Sequence, residues 1–433
     1  MLPQLRGFAW VRPFTARSLA GARIRAMTRQ KPQRGSAAEV FLAFLRLGLT
    51  SFGGPIAHLG YFREEFVARR GWLSERQYAE LVALCQFLPG PASSQVGFAI
   101  GLGRAGYRGA LAAWAAFTLP SAALMLLVAS GAALFTGTIG AGVLIGLQAV
   151  AVAVVAHAVW GMARTLTPDL RRMLIGVAAA MIALLMPGSL GQITAIGLGI
   201  VAGLLVCRIE HAGIEEDRAQ PSPVSTRAAI ICLGALVALL ILLPVLAASI
   251  PSSLLGTADA FTRAGALVFG GGHVVLPLLQ AEPVIAGAVT PDQFLAGYGA
   301  AQAMPGPLFT FAAYLGAAAQ PGGGPVTAAV ALVSVFLPGM LLLLGVWPFW
   351  SRIRSAGAAR GAIRGANAAV VGVLAATLAH PLISTGITGP VSVGIAVACL
   401  ALLALRVPPW ISVVLGAIVG GVAALLGLGL AWS

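Results

Sequence analysis

Charge is what this chain has least of. Only 9% of its 433 residues are Asp, Glu, Lys or Arg, against roughly 25% in soluble domains. With 59% hydrophobic residues and a mean hydropathy of +0.93, it lacks the material for the wet surface of two or three soluble domains. Acid is scarcer than base, 13 residues against 27, for a net charge of +14. Cysteine is rare and scattered: Cys85, Cys207, Cys232 and Cys399 lie mostly in apolar segments, with no metal-ligand or redox spacing. They read as small buried hydrophobes. With no paired cysteines and no haem or flavin motif, a redox enzyme has nothing to work with; the expectation is a non-enzyme without cofactor or metal.

What is present is long apolar sequence. Ala110–Leu134 and Gly137–Trp160 are each long enough to cross a hydrocarbon core of about 30 Å as a helix. The fold class is therefore all-α polytopic membrane protein, with the lipid bilayer as its first partner. Residues 1–36 hold seven arginines and Lys31 and no acid. Such an arm could suggest nucleic acid or an organellar transit peptide, or a chain whose true start is Met27. Ahead of a membrane domain it reads as a disordered cytoplasmic tail obeying the positive-inside bias, with no nucleic-acid role.

The chain repeats itself. FLRLGLTSFGG (Phe44–Gly54) matches FTRAGALVFGG (Phe261–Gly271) at an offset of 217 residues, which pairs Arg46 with Arg263 and also Glu65 with Glu282. QFLPGP (Gln86–Pro91) matches QAMPGP (Gln302–Pro307) at 216, and FTLP (Phe117–Pro120) matches VFLP (Val335–Pro338) at 218. Three blocks in order mark a duplication. The expected domains are the arm 1–36, a first membrane repeat 37–207, a charged linker 208–226, a linking helix 227–255 and a second repeat 256–433. Six apolar segments per copy plus the linking helix suggest about thirteen crossings, fewer if the PGP segments or the pair at Met173–Cys207 re-enter.

Loop charges differ in sign pattern between the copies. Arg104 and Arg108 face a bare counterpart at Gln320–Pro325, while Thr136–Gly140 is bare and its counterpart Ser351–Gly365 carries Arg352, Arg354, Arg360 and Arg364. Arg164, Arg171 and Arg172 correspond to the bare His380–Pro390. Positive loops mark the cytoplasmic side, so the two repeats are expected to be inverted, as in many secondary transporters.

Each copy interrupts its helices twice, at SFGGP or FGGGH and at LPGP or MPGP. Irregular backbone inside a membrane is tolerated only where it is buried in protein or lines a wet cavity. Helix starts there present N–H groups and a positive dipole end to anions. That makes Ser51, Phe52, Gly53, Gly54, Phe269, Gly270, Gly271 and Gly272 candidate ligand contacts, with Pro89, Gly90, Pro305 and Gly306 at the second breaks. Arg46 and Arg263 lie seven residues before Gly53 and Gly270, on one face of a continuous helix. An arginine at the bilayer centre costs roughly 2.5–3.5 kcal/mol, so the expectation is that both converge on one oxyanion; the alternative is that both sit near a membrane surface, Arg46 snorkelling close to its helix start. Gln86, Ser93, Ser94, Gln95, Gln302 and Thr310 add neutral hydrogen-bonding groups. His58 and His273 complete the candidate substrate contacts, although they do not align and packing is the plainer reading of each. Glu65, Glu282 and His58 are the candidates for proton coupling, the two glutamates being expected at membrane edges, paired with arginine or relaying protons.

GLTSFGGPIAH, RRGW (Arg69–Trp72), QFLPGPASSQ and IGLGRAGYRGA (Ile100–Ala110) together resemble the chromate ion transporter family. FGGGHVVLP and QAMPGP resemble the second half of its two-domain, long-chain branch. The resemblance spans nearly all of residues 38–432. It implies a cytoplasmic-membrane exporter of chromate that confers resistance, with sulfate as a related tetrahedral oxyanion. Copy two departs from it by lacking a PxAH after its glycines. Residue chemistry alone reaches only an anion, and the oligomeric state stays open, a homodimer included.

Overall fold

The computed structural model describes residues 35–131, 137–207, 222–269, 271–319 and 323–428, and every regular element among them is helical. The basic arm up to residue 34, most of the charged linker and Gly270 lie outside the described residues.

The first copy opens with α1 (Ala37–Thr50), whose start is capped by the Ser36 hydroxyl accepting from the Glu39 N–H. After the break come α2 (Gly54–Arg63) and α3 (Glu75–Phe87), the latter begun by a reciprocal cap between Ser74 and Gln77. Then α4 (Ala92–Ser130), α5 (Gly137–Leu166), α6 (Leu170–Leu185) and α7 (Ser189–Val206) follow. A linking helix, α8 (Thr226–Ser249), leads to the second copy. There α9 (Ser253–Leu267), the short α10 (Val275–Gln280) and α11 (Pro291–Ala303) repeat the plan, α11 with the same reciprocal cap between Thr290 and Gln293. It continues as α12 (Phe311–Ala318), α13 (Pro325–Val346), α14 (Trp350–Ser355), α15 (Gly357–Thr377), α16 (Pro390–Ala404) and α17 (Pro409–Leu425).

The 39 residues of α4 are not one rod. Ala105 (φ −138°) and Gly106 (φ 66°) break it, and Gly101 then packs directly on Gly109. The chain turns back on itself there, as it does in copy two between α12 and α13. Among the described residues six helices are long and apolar enough to span, and Leu308–Ala318, Pro390–Ala404 and Pro409–Leu425 are shorter apolar pieces. The expected count of about thirteen full crossings is therefore too high. The reason is the breaks: they leave pieces such as α1, α2 and α12, of 14, 10 and 8 residues, that are shorter than a span.

Small residues set how the helices meet. Gly48 of α1 lies on the Ala116 and Phe117 backbone of α4, and its counterpart Gly265 of α9 lies on the Val335 backbone of α13. Gly142 and Gly146 of α5 pack on Gly420 and Gly416 of α17, while Gly361 and Gly365 of α15 pack on Gly203 and Gly199 of α7. Spacing by four puts each pair on one helix face and lets backbones touch, as in membrane helix pairs generally. The repeats are thus interlocked: α5 packs against the last helix of the second copy, and α15 against the last helix of the first. The second half of α4 and its counterpart α13 also run antiparallel. Trp114 meets Phe336 with ring centroids 5.8 Å apart, while Gly103 and Arg104, before Trp114, share a cavity of about 430 Å³ with Trp347 and Trp350, beyond Phe336.

Candidate functional site

Two successive glycines in the left-handed region, Gly53 (φ 102°) and Gly54 (φ 76°), turn the chain out of α1 and start α2, with Gly53 at the cap position and no side chain capping the first turn. L-residues rarely adopt such angles. The PGP loops turn through Gly90 (φ 121°) and Gly306 (φ 92°).

These breaks meet across the repeats. The Gly90 N–H donates to the Val268 carbonyl at 2.7 Å, and the Gly306 N–H donates to the Ser51 carbonyl at 2.9 Å. Gly90 and Gly306 are counterparts at an offset of 216, and Ser51 and Val268 at 217. Each PGP turn is therefore bonded to the end of the first helix of the other copy. Space is tight on both sides: Gly90 lies against Gly339, Gly306 against Phe117 and Ser121. The amides of Gly90 and Gly306, two of the candidate ligand contacts, are thus bonded within the protein.

His58 of α2 is fully buried beneath the first break. Its Nε2 lies 3.2 Å from the Ser51 carbonyl, to which it can only donate, leaving Nδ1 to accept from the Ser93 hydroxyl at 3.4 Å. The Phe117 ring meets it edge-on at 5.2 Å and continues into a buried cluster of Phe44, Phe62 and Phe66. Gln95 donates through Nε2 to the carbonyls of Pro89 (3.0 Å) and Gly339 (2.9 Å). Ser94 begins α4 beside them and is buried. In the second copy Thr310 exchanges a hydrogen bond with Ser121 at 2.8 Å and donates to the Pro307 carbonyl at 2.9 Å. His273 bonds through Nδ1 to the Tyr298 hydroxyl at 2.6 Å, so the two histidines occupy different surroundings. Phe52 packs on Trp410 of α17, Gln86 is exposed and Gln302 half-buried, Pro305 and Gly272 are buried, and Phe269 and Gly271 are half-buried.

The arginine pair behaves otherwise than expected. Arg263 is held by Glu282 at 2.7 Å and Asp259 at 3.0 Å, both buried. Arg46 is exposed, on the side of α1 that carries the exposed Leu42 and Leu49. One guanidinium is neutralised by two carboxylates and its counterpart faces outward, so the expected convergence on a single dianion is not the arrangement found. Glu65, the counterpart of Glu282, is buried and bound by Arg69 at 2.7 Å and Arg70 at 2.6 Å. RRGW is thus structural: Trp72 stacks on Phe66, with the Arg70 and Arg104 guanidinium groups near its ring at 5.2 and 4.9 Å.

Sequence reasoning did not single out Thr118, Ser121, Asp259, Tyr298 or the packing glycines. Thr118 stood inside the duplicated FTLP block, where reading the two copies position by position exposes it as a hydroxyl opposite Phe336.

A family model described as "Chromate transporter" matches residues 38–207 and 255–422. The chain is 29% identical over 360 residues to a chromate transport protein of Pseudomonas aeruginosa, covering 81% of this chain and 82% of that protein. It is 30% identical over 322 residues to a probable chromate transport protein of Synechococcus elongatus (71% and 75%), and 26% identical over 350 to a chromate transport protein of Cupriavidus metallidurans (78% and 80%). No solved structure matches the chain.

Proposed function

The chain belongs to the chromate transporter family, and from that premise we propose that it exports chromate across the cytoplasmic membrane as a secondary transporter, so that cells carrying it resist chromate. The observation that carries this reading is the reciprocal bonding of Gly90 to Val268 and of Gly306 to Ser51. It ties four interruptions of membrane helices into two pairs across the repeats, and such backbone has a use in a membrane only where it is covered by protein or lines a path. The oxyanion is taken up there, among the first-turn amides of α2, Ser51, His58, Ser93, Ser94, Gln95, Gly271 and Thr310. Sulfate has the charge and shape of chromate and is the natural second substrate.

The two repeats sit inverted in the membrane, with the N-terminus cytoplasmic. The antiparallel course of α4 and α13, counterparts by sequence, supports inversion. So does the cavity that joins Arg104 of one positive connection to Arg354 of the other, since positive connections share the cytoplasmic side.

The test is uptake of labelled chromate into everted membrane vesicles, with and without excess sulfate and with the proton gradient collapsed. Chromate accumulation above vesicles lacking the chain, reduced by sulfate, is the expected result. No accumulation above that background overturns the reading.

A further inference from the structure

A duplicated chain contains its own control. Where the two copies share a fold, a residue needed only for packing can be compared with its counterpart. Around the first break five buried places compare alike, although the second copy has its own polar pair, His273 and Tyr298, with His273 opposite Ile56. Ser51 stands opposite Val268, His58 opposite Val275, Ser93 opposite Phe309, Gln95 opposite Phe311 and Thr118 opposite Phe336. All ten are buried. The second copy fills every one of these places with an apolar side chain, so the fold does not require polarity there.

The first copy's hydroxyls are also left open. Ser51 Oγ, Ser94 Oγ and Thr118 Oγ1 are buried and have no hydrogen-bond partner among the described residues. An unsatisfied buried hydroxyl is costly, and natural cores hold few. At the one position with a hydroxyl in both copies the contrast is direct. Thr310 is bonded to Ser121 and to the Pro307 carbonyl, whereas the counterpart of Ser121 is Gly339, which has no side chain to offer, and Ser94 stays open. Each of the three belongs to, or stands next in sequence to, a residue that touches His58. Ser51 is three residues before Gly54, the uncapped start of α2, and lends its carbonyl to His58; Ser94 follows the Ser93 that His58 also touches; Thr118 follows the Phe117 whose ring meets His58.

We propose that the oxyanion is bound by the first repeat alone, in a charge-free site built from the hydroxyls of Ser51, Ser94 and Thr118 and the start of α2, with His58 as the residue that positions Ser51. The second repeat forms its dry counterpart. This rests on the transport reading above and narrows it, replacing two equivalent half-sites with one. A fully ionised tetrahedral dianion is the fitting ligand, because it only accepts hydrogen bonds and each open hydroxyl has a proton to give. With Arg263 already neutralised and Arg46 outward, no arginine is needed in contact with it.

The experiment uses the full chain in proteoliposomes, with chromate and labelled sulfate as probes and thermal unfolding measured on the same preparations. Thr118→Val and Ser94→Ala are expected to raise the KM for both anions about tenfold or more, one hydrogen bond to a charged acceptor each, while leaving unfolding unchanged or shifted upward. Phe336→Leu, the mirror change, is expected to lower the unfolding temperature while KM stays within about twofold. Wild-type KM in both first-repeat variants overturns the proposal, as does a rise in KM for Phe336→Leu equal to theirs. Failure of the unaltered chain to move either anion is a different result and overturns the transport reading itself.

Discussion

At the scale of single residues, identical descent has not kept identical work. Arg46 and Arg263 are aligned, yet only Arg263 sits between carboxylates. Replacing it strands two buried acids, and breaking a buried pair from one side is far costlier than losing a surface charge. Arg263→Gln should therefore destabilise the protein by roughly 3 kcal/mol, whereas Arg46→Gln, at an exposed position, should cost less than about 0.5 kcal/mol. Chemical unfolding in detergent reads both, and equal losses would mean that the Asp259–Arg263–Glu282 group is not what holds α9 to the segment after α10. Glu65→Gln should also lower stability, since it removes the charge that Arg69 and Arg70 share.

At the scale of elements, two kinds of glycine do different things. Gly53 and Gly54 are needed for their backbone angles: nothing lies within 4 Å of a methyl built on Gly54, so only its φ forbids a side chain. Gly54→Ala should strain the start of α2 by about 1–3 kcal/mol and abolish chromate uptake while the protein still inserts; normal uptake would leave these glycines no part in the transport path. Gly365 is needed for closeness, since its neighbour is the backbone of α7. Gly365→Leu should push α15 off α7 and lower the yield of folded protein in size-exclusion chromatography, although Leu is the better helix former. A folded, active Gly365→Leu variant would show that this helix pair tolerates separation.

At the scale of the whole molecule, the repeats are partners rather than neighbours. Glycines of α5 and α7 lie against α17 and α15 of the other copy, and each PGP turn is bonded across. Residues 35–207 and 222–428 expressed separately should be degraded, and co-expressed should assemble and restore chromate uptake. Activity from either half alone would contradict the interlocked core. Single cysteines at Arg104 and Arg354 should label from the same side of the membrane and one at Gly323 from the other. Labelling of all three from one side would end the inverted arrangement.

Composition and periodicity alone determined that this is a helical membrane protein, because the free energy of moving apolar residues out of water is additive along the chain and can be read from it. The duplication and the two pairs of breaks were equally legible, being patterns of order. What tertiary structure decided is which breaks meet, which arginine is neutralised and which hydroxyls go unpaired. Arg263 differs from Arg46 because Asp259, absent from the first copy, and Glu282 close on it; Thr310 differs from Ser94 because Ser121 bonds it, while the counterpart of Ser121 is Gly339. Those are contacts between residues up to 189 positions apart in sequence, set by how helices of two copies pack together, and local sequence has no term for the neighbour that packing brings.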